Sequence, residues 1–196
     1  MLPRRLVLCG RTREYRRAAA ELPLKLGSRV LEVGCHEGLT TALLSERFGP
    51  AHVLGVDRSA AAVSAARTRF PGLSFDVLDV NMPGGIQSRL QALSLLCRGP
   101  GPETEDNGFR ACFLDLGGDA KLSAVLQAVA ELRQLPGLEL LVVKSEALLR
   151  LRRDSALVAS SFSTAPSTKS QTRPMLREQL LVRTQIRWSA AHEVVE

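Results

Sequence analysis

Five ionisable residues interrupt or end short apolar runs in this chain: Glu32, Asp57, Asp79, Asp115 and Lys144. If each run is a strand of one parallel sheet, all five sit near its carboxyl edge, where ligands of open α/β sheets gather. Carboxylates there can take hydrogen bonds from amino and hydroxyl groups. A lysine beside a carboxylate, desolvated by the sheet edge, can assist a hydroxyl that must lose its proton, which makes Asp115 and Lys144 the candidates for chemistry. The alternative for Lys144 is a solvated strand cap. The densest stretch is Arg29–Thr41, R-V-L-E-V-G-C-H-E-G-L-T-T. It reads as a buried strand, a tight glycine turn and a helix N-terminus, which together cradle a nucleotide-like ligand. Gly34 and Gly38 admit close backbone approach and a positive φ, and Glu32 offers its carboxylate to an amino or hydroxyl group. Asp57 directly follows the next apolar run and is placed to accept hydrogen bonds from ribose hydroxyls. Helix capping is the alternative for Asp57, with Ser59 competing for that role.

The elements that must position these residues follow from periodicity and turn signals. A strand Arg5–Cys9 precedes an exposed basic helix, Thr12–Leu22, with Thr12 as its N-cap. After the glycine turn a helix spans about Glu37–Phe48, its apolar stripe Leu39, Leu43 and Leu44, and Gly49-Pro50 stops it. Then come a strand Val53–Val56, a helix Ala60–Phe70, a strand Leu73–Val77 and a helix of about Gly85–Cys97. A strand Phe109–Leu116, a helix of about Ala120–Leu135 with the stripe Leu122, Val125, Leu126, Val129 and Leu132, and a strand Leu138–Val143 complete the series. The last strand is almost wholly apolar, as in a parallel sheet buried on both faces. Five strand–helix alternations imply an α/β, Rossmann-like, doubly wound, mostly parallel sheet. Glu178–Trp188 and Ala191–Val195 read as two short strands that close it with an antiparallel C-terminal edge. Arg98–Asn107 is a polar surface loop rich in Pro and Gly. Between Ser155 and Thr172 nine of eighteen residues are Ser or Thr, so 154–175 reads as a flexible loop. Residues 1–25 are thus a basic N-terminal extension and 26–196 one domain.

Composition narrows the function classes. With 196 residues, 45% hydrophobic and 23% charged, the chain can bury a real core, and no apolar run reaches the length of a membrane span. A net charge of +6 favours anionic partners such as RNA. Only four of the 26 basic residues are lysines, and arginine richness of that kind also follows genome bias. Cys9, Cys35, Cys97 and Cys112 show no C-x-x-C pair and no metal spacing with the three histidines. Buried free thiols in a reducing compartment, the cytoplasm, are the expectation. The arginine-rich start leaves mitochondrion or plastid as the alternative.

The glycine turn resembles motif I of the class I S-adenosylmethionine (SAM)-dependent methyltransferases, acid-x-Gly-x-Gly-x-Gly. Glu32, Gly34 and Gly38 match it, and His36 stands where the middle glycine usually does. The resemblance runs from about Leu26 to Arg150. It implies the class I methyltransferase fold, SAM as the cofactor, and a pocket lined by Glu32, Gly34, Gly38, Asp57 and Asp79. Cys35 and Arg58 lie beside that pocket, and Val80 adjoins Asp79. In that family an acid at the place of Asp79 bonds the adenine amino group, and Asp76 is the alternative if the register shifts. NAD is disfavoured, because G-C-H-E-G lacks the G-x-G-x-x-G spacing.

Methyl transfer is an in-line displacement that rests mainly on positioning. The pair Asp115 and Lys144 is similar to part of the Lys-Asp-Lys-Glu set of ribosomal RNA 2′-O-methyltransferases, but Lys25 and Glu146 are poor matches for its flanking members. The turn after Asp115 is D-L-G-G, not the Asn/Asp-Pro-Pro-aromatic turn of amino-group methylation, and no Pro-Cys nucleophile follows it. The expectation is a SAM-dependent methyltransferase with an unidentified acceptor, RNA among the candidates. The alternative is a catalytically inactive methyltransferase-like binding or assembly module.

Overall fold

Six short apolar runs pair into a single sheet whose strands are β1 (Arg5–Cys9), β2 (Val30–Val33), β3 (Val53–Asp57), β4 (Ser74–Val77), β5 (Ala111–Leu114) and β6 (Leu140–Lys144). The structure is a computed structural model that describes residues 5–25, 27–82, 89–90, 92 and 108–162. The chain divides into two units, Met1–Thr164 and Ala165–Glu196, and every described residue lies in the first. Among the described residues five helices cover the strands: α1 (Thr12–Glu21), α2 (Leu39–Phe48), α3 (Ala60–Arg69), α4 (Leu122–Leu132) and α5 (Glu146–Phe162). No described helix is long and apolar enough to cross a membrane.

The strand order is β1-β6-β5-β2-β3-β4, and each neighbouring pair runs parallel. From β2 the chain winds outward through β3 to β4. It then returns to the other side of β2 to lay down β5 and β6. Adjacent strands β2 and β5 therefore mark the topological switch, the crevice where open sheets bind ligands. The two faces of the sheet bury separate cores. One holds Leu31, Val33, Leu54, Val56, Cys112, Leu114, Leu141 and Val143 under Val125, Ala128, Val129 and Leu132 of α4. On the other, Val30, Val53, Ala111, Phe113, Leu140 and Val142 lie under Tyr15, Ala18 and Ala19 of α1 and Leu44 and Phe48 of α2. Val63 and Ala66 of α3 pack on Phe75 of β4. The central strands are apolar on both faces for this reason.

The N-terminal segment is built into this architecture. β1 pairs with β6 from Arg5↔Leu140 to Cys9↔Lys144, so the edge place beside β6 is occupied. The C-terminal strands expected at an antiparallel edge lie outside the described residues, as do the loop 98–107 and most of the helix expected over 85–97. Thr12 is not the cap of α1. Arg11 holds that position, and the Glu14 carboxylate accepts from the N–H groups of Gly10 (2.7 Å) and Arg11 (3.2 Å), satisfying two donors that the helix leaves open. α2 starts at Leu39 rather than Glu37, and its buried side is Thr40, Thr41, Leu44, Ser45 and Phe48. Leu39, expected in the apolar stripe, is exposed. In α4, likewise, Leu126 of the expected stripe faces outward and Ala128 takes its place in the core. The largest correction is α5. Its residues 154–162, expected to be part of a flexible loop, are helical, and Ser145 caps it by accepting from the Leu148 N–H (3.2 Å).

Tyr15 is only 1% exposed, stacks edge-on against Phe113 with ring centroids 5.7 Å apart, and its hydroxyl has no hydrogen-bond partner among the described residues. An unpaired buried hydroxyl costs about 1–3 kcal/mol. Tyr15→Phe, which keeps the ring contact, should therefore raise the melting temperature by about 2–4 °C for each kcal/mol recovered in a chain of this size. A lower melting temperature by calorimetry would show that the hydroxyl has a partner.

Candidate functional site

At the carboxyl ends of β2, β3, β5 and β6 lies a cavity of about 760 Å³. Gly34 and His36 form its floor after β2, Asp57 ends β3 and Arg58 follows it, Asp79 to Asn81 follow β4, Asp115 follows β5 and Lys144 ends β6. This volume falls in the roughly 300–1,000 Å³ range of small-molecule sites.

The floor is a tight crossing of backbones. Gly34 and Cys35 donate their N–H groups to the Val56 carbonyl (2.8 and 3.0 Å), and the Asp115 N–H reaches Val33 O (2.9 Å). A Cβ built on Gly34 would stand 1.7 Å from the Asp115 carbonyl oxygen, and its φ is +81°. Gly34 is thus required by the neighbouring chain as well as by the turn. Gly38, also at φ +81°, does not line the cavity; a Cβ there would meet the Phe75 ring at 2.7 Å. Its role is to let α2 start against β4, not to admit a ligand. His36 takes the left-handed conformation at φ 50°, and its N–H donates to Asp57 Oδ2 (2.9 Å). Asp57 Oδ1 accepts from the Ser59 N–H (2.8 Å). Helix capping falls to Ser59 Oγ, which accepts from the Ala62 N–H (3.2 Å). A carboxylate oxygen can accept more than one hydrogen bond, so Asp57, fixed by two backbone N–H groups, keeps acceptor capacity toward the cavity.

Glu32 was expected in the pocket and is absent from its lining. Successive strand side chains point to opposite faces. Val33 touches the cavity, whereas Glu32 turns under α1 and α2, where it is 2% exposed and accepts a 2.5 Å hydrogen bond from Thr41 Oγ1. Burial raises its carboxyl from 4.5 to about 8, with nearby Asp115 adding to the shift, while the Thr41 and Thr40 hydroxyls and Arg16 oppose it. Cys35 is buried behind the turn as well and does not line the cavity. Burial pushes its thiol and that of Cys112 well above the usual range, and that of Cys9 up to about 11. These three cysteines are free.

Asp79 lines the cavity and Asp76 does not. Asp76 instead accepts from its neighbour's N–H (2.8 Å) and faces Arg67 at 3.7 Å. Asp79 Oδ1 holds the Asn81 N–H at 2.9 Å. Asn81 was not singled out in the sequence; its buried side-chain oxygen has no hydrogen-bond partner among the described residues, at the cavity wall. Across the cavity Lys144 Nζ donates to Asp115 Oδ2 at 2.7 Å, with only 15% and 17% of the two side chains exposed. Asp115 Oδ1 accepts from the Gly117 N–H (3.0 Å). Glu146 pairs with Arg150 and lies away from this cavity, as does Lys25. Asp119, Lys121 and Ser123 also line it; they follow the Asp115 turn, and no spacing signal in the sequence marks them.

A glycine turn at the switch point of a parallel sheet, with an acid ending β3 and another after β4, is the arrangement that the resemblance to class I SAM-dependent methyltransferases leads one to expect. Residues 30–87 match the family described as "Methyltransferase domain". Trans-aconitate 2-methyltransferase of Variovorax paradoxus is 40% identical over 70 residues, which are 36% of this chain and 27% of that protein. The enzyme of the same name from Rhodopseudomonas palustris is 45% identical over 65 residues, 33% of this chain and 25% of that one. The chain thus spans about a quarter of the length of these relatives. Among solved structures, a TehB-like SAM-dependent methyltransferase from Corynebacterium glutamicum aligns with TM-score 0.45 and 18% identity, covering 65% of this chain and 60% of that one.

Proposed function

We propose that this chain is a SAM-dependent methyltransferase whose acceptor is a small molecule. The observation that carries the reading is the meeting, in one cavity, of Asp57, Asp79 and the orphaned Asn81 oxygen on one side with the Asp115–Lys144 pair on the other. The first group fits a nucleoside. Asp57 takes the ribose hydroxyls, Asp79 the adenine amino group, and Val80 supplies an apolar wall. When bound, SAM supplies an electrophilic methyl group on a sulfonium. Arg58 and His36 lie beside it, and Glu32, Cys35 and Gly38 act only through the shape of the turn.

Lys144 has three N–H donors and gives one to Asp115. Its remaining donors are free to hold an acceptor oxygen, and Asp115 takes the proton if that oxygen is a hydroxyl. A carboxylate acceptor needs no base, only orientation. No Phe, Tyr or Trp lines the cavity among the described residues, which leaves no platform for stacking a nucleobase beyond the cofactor. For that reason a small acceptor is preferred to RNA. The relatives act, by their name, on trans-aconitate, and a small acid of that kind suits the cavity.

Lys144→Met should lower turnover roughly 100-fold while SAM affinity stays unchanged, as expected for a group that orients the acceptor. Turnover of methyl groups onto a panel of small carboxylic acids, followed with labelled SAM, is the test. Full activity in Lys144→Met would remove the pair from the chemistry. The second reading, a module that binds SAM without turnover, draws on His36 in place of a glycine. Against it, His36 adopts the turn conformation and anchors Asp57.

A further inference from the structure

A second concave site lies on the same sheet edge. It is lined by Gly10, Arg11 and Glu14 from the start of α1 and by Glu146, Leu149, Arg150, Arg152 and Arg153 from α5, and encloses about 680 Å³. Its position is fixed by the register of the edge strands. Cys9 of β1 sits opposite Lys144 of β6, and the Ser145 N–H donates to Cys9 O at 2.9 Å. Lys144 belongs to the first cavity, while Gly10 and Glu146, the residues just beyond this pairing, belong to the second. The two sites therefore succeed one another along the carboxyl edge, with Lys144 at the junction.

The charge of the second site is uneven. Four arginines face two carboxylates. Glu14 is committed to the Gly10 and Arg11 N–H groups, and Glu146 to Arg150 at 2.6 Å. Arg153 pairs with Asp154, outside the lining, at 3.3 Å. Arg11 and Arg152 have no ion-pair partner among the described residues. Arginines lining one concavity offer planar guanidinium groups that match the oxygens of phosphate or carboxylate groups.

From this placement we infer that the arginine groove is an anion subsite for the methyl acceptor. It takes a phosphate or carboxylate group that the acceptor carries at a distance from the atom methylated beside Lys144. The inference rests on the methyltransferase reading for the acceptor's role, while the groove's affinity for anions is measurable without it.

The test titrates pyrophosphate and, separately, propane-1,2,3-tricarboxylate into the full chain by calorimetry and follows SAM binding on the same samples. The comparison is with Arg11→Ser/Arg152→Gln, where serine retains a good helix cap, and with Arg133→Gln, which removes the same kind of charge at the far end of α4. Thermal melts establish that the variants are folded. The expected result is saturable binding of at least one anion, weakened roughly tenfold or more in the double variant and unchanged in Arg133→Gln, with SAM affinity equal in all three. The preferred anion tells phosphate from carboxylate. No saturable binding, or binding that ignores the double substitution, overturns the subsite. A short single-stranded RNA that binds the groove more tightly than both small anions overturns the small-acceptor form of it. Loss of SAM binding in the wild type would instead strike at the methyltransferase reading and leave the anion result standing.

Discussion

Gly34→Ala should cost at least about 4 kcal/mol and leave little folded protein at 37 °C, a size that points to a specific steric mechanism. Two separate effects act at this position. The backbone sits at φ +81°, where any L-residue is penalised by roughly 1–2 kcal/mol. The added methyl would also stand 1.7 Å from the Asp115 carbonyl oxygen, and that atom is backbone, so no rotamer change can relieve the contact. The turns after β2 and β5 would have to separate, breaking the 2.9 Å bond from the Asp115 N–H to Val33 O and the crossing that forms the cavity floor. Gly72→Ala is the control, because a Cβ there meets nothing within 4 Å and the φ is ordinary; it should be neutral within about 0.5 kcal/mol. Urea denaturation of both variants checks the pair. A loss under about 1 kcal/mol at Gly34 would mean that the two turns do not touch as described.

Glu32 gives the second large effect, expressed through pH. Its carboxyl titrates at about 8 in the folded chain against 4.5 as the ordinary value, chiefly because it is buried. Below pH 4.5 both folded and unfolded states hold the proton, and the stability linked to this group is fully present. Between 4.5 and about 8 the unfolded chain releases the proton and the folded chain keeps it, so stability falls as pH rises, by up to about 1.4 kcal/mol per unit. Above about 8 both are ionised and this contribution is gone. Glu32→Gln keeps the shape and an acceptor for the Thr41 hydroxyl but cannot ionise. The variant should match the wild type within about 1 kcal/mol at pH 5 and exceed it by several kcal/mol at pH 9. The buried thiols add their own alkaline loss to both proteins, so the difference between the two curves is the quantity to measure, by denaturant unfolding across this range. Parallel curves would show that Glu32 is ionised within the fold.

How far these features could be read from the sequence depended on where side-chain chemistry changes sharply. The strand ends at Asp57, Asp115 and Lys144 were legible because an apolar run gives way to a charge, and in a parallel sheet such changes all fall on one edge. Direction within β2 was not legible. That strand is buried on both faces, so its pattern carries no alternation to tell which way Glu32 points. The same blindness affected α2, where Thr40, Thr41 and Ser45 lie inside while Leu39 is exposed. Thr41 is drawn in by Glu32, and Ser45 donates its hydroxyl to the Thr41 carbonyl at 2.8 Å, so polar pairing decides the face. α5 was not read at all, and from Asp154 its serines suggested a loop, whereas the Ser145 cap and the Leu148–Leu149 pair begin a helix that lies against β1. The place of β1 beside β6 depends on pairing between residues at opposite ends of the described chain, which no local pattern encodes.

The cavity at the β2–β5 crevice is proposed to hold SAM through Asp57. Calorimetric titration of SAM and S-adenosylhomocysteine into the wild type and Asp57→Ala tests it most directly, with a thermal melt of the variant to show that it remains folded without the bonds to His36 and Ser59. The expected result is a dissociation constant on the order of micromolar for the wild type, weakened about 100-fold or more in Asp57→Ala. No heat and no thermal stabilisation of the wild type by either ligand would contradict it and leave the fold put to another use.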